Sequence, residues 1–356
     1  MIITLLGAGA MGGALTFPLA KNLHEIRLYC TEHDSETFAL LKKGEAHPRL
    51  KQQLPQTIKY YGPKDLQAAL LGSNIVFLCV NSKGIRPIMN ALLPYINSEM
   101  TLVTVAKGFF KLNGIVHPMT FGIEAYMHAN GLSDLPAVGC MAGPSIASEL
   151  AGQSPTAVNL STSASQERTQ QLADAFSSRT FHVRAGQDLK GLEICSAFKN
   201  IYSIALSWPQ GLGQKDSGES NEPVNLKAIL MLQALAELEL IIQAAGGDPK
   251  TARGLAGLGD LVATSGSGRN GRFGKLLASG QTTEEAMDTL KSQGIETVEG
   301  LDATPLGLEY VETLDGLSSE SLPLLSAIGQ VIKGATSPQV VVREMNLKRY
   351  AGSDAS

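Results

Sequence analysis

Residues 1–29 read MIITLLGAGAMGGALTFPLAKNLHEIRLY, and this stretch decides the fold. Met1 to Leu6 is a short apolar run that predicts a buried strand. Gly7-Ala8-Gly9-Ala10-Met11-Gly12 follows at once, Gly13 to Lys21 predicts a helix, and Glu25 to Tyr29 predicts a second strand. A glycine-rich turn between a strand and a helix is the setting that a dinucleotide-binding turn requires. Gly7 permits the tight turn, Gly9 lets a pyrophosphate approach the backbone, and Gly12 lets helix and strand pack closely. The helix start, with Ala10 and Met11 on the turn, offers free N–H groups to the phosphates. Met1 to Ala20 carries no charge, yet it has no basic start and glycines interrupt it. A buried strand and helix explain that better than a leader peptide does.

An acidic residue after the second strand holds the ribose diol of NAD, whereas a basic one suits NADP. Here Thr31-Glu32-His33-Asp34 follows Tyr29-Cys30, with Glu32 twenty positions after Gly12 and no arginine, which favours NAD. Further strands are expected at Asn74–Val80, Thr101–Val105, Ala137–Cys140, Thr156–Leu160 and Phe181–Val183. Helices are expected between them, at Ile85–Leu93 and His117–His128. The alternation predicts an α/β, mostly parallel doubly wound sheet, whose ligands sit beyond the carboxyl ends of the strands. Lys107-Gly108 falls at one such end and Gly143-Pro144-Ser145-Ile146-Ala147-Ser148-Glu149 at another, where it begins a helix. A lysine such as Lys107 is otherwise an ordinary solvated loop residue.

From about Asp188 the pattern turns wholly helical: Leu189–Trp208, Leu226–Ala245, Glu284–Gln293, Leu301–Thr313, Leu322–Lys333 and Pro338–Met345. The domain boundary is placed near Ala185-Gly186. This gives a Rossmann-like domain over 1–186, an all-α domain over 187–350 and a tail over 351–356. Lys215–Glu222 (KDSGESNE) is expected as an exposed loop.

Within LEICSAFKNIYSIAL, Leu192 to Leu206, apolar residues fall at Ile194, Ala197, Phe198, Ile201, Ile204 and Ala205. Cys195, Tyr202 and Leu206 leave little polar on the other face, so the helix is expected to be buried. Lys199 must then find an anion, titrate, or send its charged end along its stem to water. Asn200 adds donors and an acceptor. Another dense stretch, Gly254–Asn270 (GLAGLGDLVATSGSGRN), places Asp260 among apolar residues and brings Thr264, Arg269 and Asn270 close in sequence. Hydroxyl, guanidinium and amide together suit an anion. An inter-helix loop with a surface arginine is the alternative.

The chain has 356 residues, enough for about two domains. A net charge of −4 gives no electrostatic case for nucleic acid or an anionic membrane surface. No run is long and apolar enough to span a bilayer. Cys30, Cys79, Cys140 and Cys195 show no CxxC or zinc-ligand spacing, so no metal is expected and the thiols read as buried and reduced.

Taken together, the motifs resemble the NAD(P)-dependent glycerol-3-phosphate dehydrogenases. The resemblance runs in the family's order from Met1 to about Gly300. It rests on GAGAMG, Ala106-Lys107-Gly108, GPSIASE, Phe198-Lys199-Asn200, NLKAILMLQALAEL from Asn225, GLAGLGDL from Gly254, Gly268-Arg269-Asn270, and Val298-Glu299-Gly300. It implies a Rossmann domain, a helical domain and hydride exchange between sn-glycerol 3-phosphate and dihydroxyacetone phosphate with NAD or NADP. It also implies supply of glycerophospholipid synthesis, a cytoplasmic setting and a homodimer, with a small phosphorylated substrate as partner and neither nucleic acid nor membrane insertion. By position, Lys199 matches the catalytic lysine that exchanges the proton on the C2 oxygen, with Lys107 and Asp260 beside it. Gly143, Ser145, Asn200, Thr264, Gly268, Arg269 and Asn270 match residues around the substrate, with Arg269-Asn270 as phosphate clamp. Gly7, Gly9, Ala10, Met11, Gly12, Thr31, Glu32, Lys107, Ala147, Arg269 and Glu299 match residues around the cofactor. Departures at Asn81, Thr31, Trp208, Gln233 and Gly268 motivate a second reading: a related dehydrogenase of another phosphorylated or carboxylated hydroxy compound.

Overall fold

A computed structural model describes residues 1–22, 24–217, 222–265, 268–318 and 320–344, with side chains for all of these except 214–217. The chain divides into two compact units, Met1–Glu193 and Ile194–Ser356.

The first unit is built on an eight-stranded sheet. Its strands are β1 (Ile2–Leu6), β2 (Glu25–Tyr29), β3 (Lys59–Tyr61), β4 (Ile75–Leu78), β5 (Thr101–Thr104), β8 (Ala137–Ala142), β9 (Thr156–Thr162) and β10 (Phe181–Ala185), while β6 (Phe109–Leu112) and β7 (Ile115–Pro118) form a separate hairpin. The order is β10-β9-β8-β5-β4-β1-β2-β3, and every pairing is parallel except that of β8 with β9. The chain leaves β1 towards β2 and β3 on one side and returns to β4 and β5 on the other. The strand order therefore reverses beside β1, the place where such sheets bind ligands.

Alternation along each strand divides the core in two. Ile3, Leu5, Ile75, Phe77 and Val103 face one apolar layer, closed by helices Ala10–Ala20 and Gln166–Phe176. Leu6, Val76, Leu78 and Leu102 face the other, closed by helices Ser82–Leu92 and Met119–Ala129. Thr4, also fully buried, is satisfied by the Ala69 carbonyl at 2.8 Å and Ser73 Oγ at 3.0 Å. All four cysteines are buried and lie outside any disulfide; burial pushes the Cys30 thiol up to about 12 and Cys79 further still.

Several sequence expectations shift. The helix expected from His117 starts at Met119, because Ile115–Pro118 pairs with Phe109–Leu112. Asn113 and Gly114, at φ +49° and +85°, make the two-residue turn that such a hairpin needs. The three-residue edge strand β3 was too short and too exposed to show a pattern.

The second unit is helical among the described residues. The Lys199 helix, Leu189–Ala205, stops short of the expected Trp208, which instead opens the next helix, Trp208–Ser217. Pro209 explains the break: it has no N–H for an ongoing helix and is accepted in a first turn. Lys215–Ser217 accordingly lies in a helix where an exposed loop was expected. Residues 218–221, Met345 and the 351–356 tail lie outside the described residues.

Glycines set the close packing around the Lys199 helix. A Cβ at Gly300 would sit 2.3 Å from the Asn200 carbonyl oxygen, and one at Gly274 would sit 2.0 Å from that of Ile204. Helices Glu299–Val311 and Arg269–Ala278 can thus lie backbone to backbone against it. The stretch for which an inter-helix loop was the alternative reading is itself helical in part, as a π turn Leu255–Gly259 and a short helix Asp260–Thr264.

Candidate active site

In the first unit the glycine-rich turn leaves β1 at Gly7, whose φ of +111° suits glycine alone. A Cβ on Gly12 would lie 2.0 Å from the Gly7 carbonyl oxygen, so helix Ala10–Ala20 can approach the strand only with glycine there. At Gly9 the space is open, with Arg49 Nη1 the nearest atom at 4.0 Å from the position of a Cβ. The helix begins with Gly9 as its N-cap, has no side-chain cap among the described residues and no acidic residue in its first turn. Its first N–H groups are free for an anion. A half-buried backbone at Gly9, open where a Cβ would point and leading into an uncapped helix, fits a pyrophosphate.

The spacing singled out Glu32, which is exposed. The residue bonded to the turn is Asp34. Its Oδ2 accepts from the Thr31 N–H at 3.0 Å, the Thr31 hydroxyl at 2.7 Å and the Ala8 N–H at 3.2 Å. The Thr31-x-x-Asp34 spacing of a capping box was the available signal.

Met11, Lys107 and Ser145 meet around one pocket, with Val105, Met141 and Phe181 among its apolar walls. Gly143, at φ +152°, would press a Cβ to 3.0 Å from Val158 Cα; glycine there sets the turn that presents Ser145. Ala147 opens the short helix that follows.

In the second unit Lys199 Nζ donates to Asp260 Oδ1 at 2.8 Å, and both side chains are at least 95% buried, with 5% and 1% exposure. Between the readings left open for this lysine, the structure selects the anion. Asn200, equally buried, accepts from Asn270 Nδ2 at 2.9 Å and donates to Glu299 Oε2 at 2.9 Å. Asn270 Oδ1 accepts the Gly300 N–H at 2.8 Å. Glu299 Oε1 accepts from Arg269 Nη2 at 3.0 Å, and Arg269 Nη1 donates to Thr297 at 2.9 Å. Thr264 donates to the Asp260 carbonyl at 2.6 Å. The second unit's seven side-chain candidates therefore form two bonded groups, Lys199 with Asp260 and Thr264, and Asn200 with Asn270, Glu299 and Arg269. Gly268 is the N-cap of the Arg269 helix, which also has no side-chain cap among the described residues and no acid in its first turn. A second anion-ready helix start thus stands beside Arg269.

The sequence did not single out two buried carboxylates that each hold several donors. Within the first unit, Glu193 accepts the Thr120 N–H at 2.9 Å and the Thr120 hydroxyl; burial raises its pKa against these donors. In the second, Glu237 accepts from Tyr202, Gln233 and the N–H groups of Leu324 and Leu325 at 2.6–3.0 Å, and burial pushes it up to about 7. Trp208, a departure from the resembled pattern, is fully buried, and its indole N–H has no partner among the described residues. No group of His, Cys, Asp and Glu among the described residues is arranged to hold a metal, and no described helix is long and apolar enough to cross a membrane.

A phosphate-ready turn at the reversal of a parallel sheet, in one chain with a buried lysine–carboxylate pair, defines a dinucleotide-dependent oxidoreductase. The descriptions "NAD-dependent glycerol-3-phosphate dehydrogenase N-terminus" and "C-terminus" match residues 2–168 and 188–343 respectively. The chain belongs to the NAD(P)-dependent glycerol-3-phosphate dehydrogenase family. An NADP(+)-dependent glycerol-3-phosphate dehydrogenase from Archaeoglobus fulgidus is 36% identical over 346 residues, 97% of this chain and 99% of that one. A glycerol-3-phosphate dehydrogenase [NAD(P)+] from Geobacillus thermodenitrificans is 33% identical, over 96% of this chain and 93% of its own. The crystal structure of a glycerol-3-phosphate dehydrogenase from Coxiella burnetii matches with a TM-score of 0.77 at 27% identity, covering 96% of this chain and 98% of that chain.

Proposed function

We propose that the chain interconverts sn-glycerol 3-phosphate and dihydroxyacetone phosphate, with residues 1–186 binding NAD or NADP and 187–350 carrying the chemistry. The observation that carries this reading is the buried Lys199–Asp260 pair bonded at 2.8 Å. The nicotinamide, when bound, supplies or takes the hydride at C2. In reduction Lys199 gives a proton to the C2 oxygen, and in oxidation it takes that proton back. Asp260 holds the ammonium in place and offsets its charge where water is excluded. Arg269, Asn270 and the uncapped helix start after Gly268 receive the substrate phosphate, with Thr264 and Asn200 alongside. Glu299 holds Arg269 until phosphate competes for the guanidinium, and it also contacts the cofactor ribose. Lys107, Gly143, Ser145 and Ala147 line the reacting end of the nucleotide unit. Gly7, Gly9, Ala10, Met11 and Gly12 take the pyrophosphate, and Thr31 and Glu32 the adenosine ribose.

The product supplies glycerophospholipid synthesis in the cytoplasm, a reducing setting that four cysteines outside any disulfide suit. The working form is a homodimer. An apolar stripe on helix Val224–Ala244 supports this: Val224, Leu232 and Leu240 are 68, 55 and 40% exposed, and exposed Ala228 and Ala236 lie between them at the same four-residue step. Sedimentation equilibrium should return twice the chain mass.

Oxidation of NADH and NADPH by the purified protein with dihydroxyacetone phosphate tests the reaction. Rapid loss of reduced-nicotinamide absorbance is expected, and the ratio of the two rates gives the cofactor preference. Folded protein that binds nucleotide yet turns over neither pair would move the assignment to the alternative substrates motivated at Trp208.

A further inference from the structure

Ala8, in the middle of the glycine-rich turn, has both of its backbone polar groups held by side chains from elsewhere in the first unit. Asp34 takes its N–H, as described. Its carbonyl oxygen meets His47 Nε2 at 3.0 Å. The other ring nitrogen, Nδ1, accepts the N–H groups of Arg49 and Leu50, each at 3.3 Å. Accepting at Nδ1 and bonding a carbonyl at Nε2 leaves one consistent form: neutral imidazole with its proton on Nε2. The ring is fully buried. It is fixed from behind as well: the His47 N–H donates to the Gln52 carbonyl and the Lys51 N–H to the His47 carbonyl, both at 2.8 Å. It also lies against Gly13, where a Cβ would come within 2.9 Å of ring atoms. The same short segment carries Arg49 to the open space at Gly9.

We propose that His47, in its neutral Nε2–H form, is a positioning residue for the dinucleotide turn: by holding the Ala8 carbonyl it fixes the Ala8–Gly9 peptide and the backbone surface that a pyrophosphate meets. The inference rests on the reading of residues 7–12 as the dinucleotide site. Protonation would place a second N–H against the Arg49 and Leu50 donors and break the hold. Burial lowers the pKa of His47 below its ordinary 6.5; the charged groups that bear on the ring are Arg49, which also lowers it, and Asp34, which raises it. The neutral, turn-holding form therefore prevails at neutral pH and is lost only as pH falls through a folded-state value below 6.5.

The test is dinucleotide binding by calorimetry at pH 7.5 and 5.5, for the whole chain and two variants. Affinity of the unaltered chain should fall at pH 5.5. His47→Leu should bind about tenfold more weakly at pH 7.5, the effect of losing one buried hydrogen bond and stranding its partners. His47→Gln, whose amide can donate to Ala8 and accept from the segment, should bind within about twofold of the unaltered chain at pH 7.5 and lose less affinity on acidification. Should His47→Leu fail to fold, the glutamine variant decides by its pH profile alone. Equal affinities and equal acid-side losses in all proteins would overturn the inference and leave the dinucleotide reading standing. No binding by the unaltered chain at either pH would overturn that reading, and the inference with it.

Discussion

On the proposed reading the two units meet anions and protons largely by different means. At residues 7–12 recognition is made of backbone: glycines open the turn, a helix start lies uncapped, and side chains enter only to hold Ala8 in place. Around Lys199 recognition is made of side chains: a buried ammonium, a buried carboxylate and two amides bonded in chains across four helices. Backbone N–H groups do not titrate, so the first site senses pH only through the His47 that holds Ala8, and it is fragile to a Cβ at Gly7 or Gly12. The second depends on each charge keeping its partner.

Three experiments would break or sharpen that contrast. The largest effect is expected from Lys199→Ala, which should lower turnover at least about a thousandfold while leaving dinucleotide affinity within about twofold. Affinity collapsing in step with turnover would show that the two sites are not separable. Next is Gly12→Ala, whose methyl would lie 2.0 Å from the Gly7 carbonyl oxygen. It should cost roughly one to two orders of magnitude in dinucleotide affinity, measured by fluorescence titration, as helix Ala10–Ala20 is forced off the strand. The smallest effect concerns Glu237. Its folded-state pKa, about 7, lies above the ordinary 4.5, so the folded state holds the proton more tightly. The stability from this group is present in full below pH 4.5 and is lost as pH rises to about 7. Glu237→Gln should flatten that fall, read as a few degrees of Tm between pH 5 and 7.5. An unchanged slope would mean that the four donors around Glu237 outweigh its burial.

The backbone-made site was legible because glycine is itself the signal. Gly7, Gly9 and Gly12 stand at fixed spacing between apolar runs, and β1 and β2 emerged almost to the residue. The hairpin was missed although Asn113-Gly114 announced it, because two four-residue strands leave little periodicity beside a helix start. For the side-chain site, burial of Lys199 followed from apolar neighbours all round its helix. Its partner did not: Asp260 lies 61 residues away, and only the resemblance placed the two together. Asp34, His47, Glu193 and Glu237 went unread for a related reason. His47, Glu193 and Glu237 are lone polar residues in ordinary local settings whose partners lie far off in the sequence or fit no short pattern; Asp34 carried a local capping-box signal, but its bond to the Ala8 N–H spans 26 residues.

The four cysteines have a practical consequence. With Cys30 and Cys79 buried and their thiols held at about 12 or above, thiolate is scarce at these sites in neutral solution. Alkylating reagents and peroxide should leave both untouched while the fold lasts. Cys140 and Cys195 are buried as well, so a single cysteine added on an exposed loop would take a spectroscopic label almost alone, and motion at that loop could be followed during turnover without first removing any native residue.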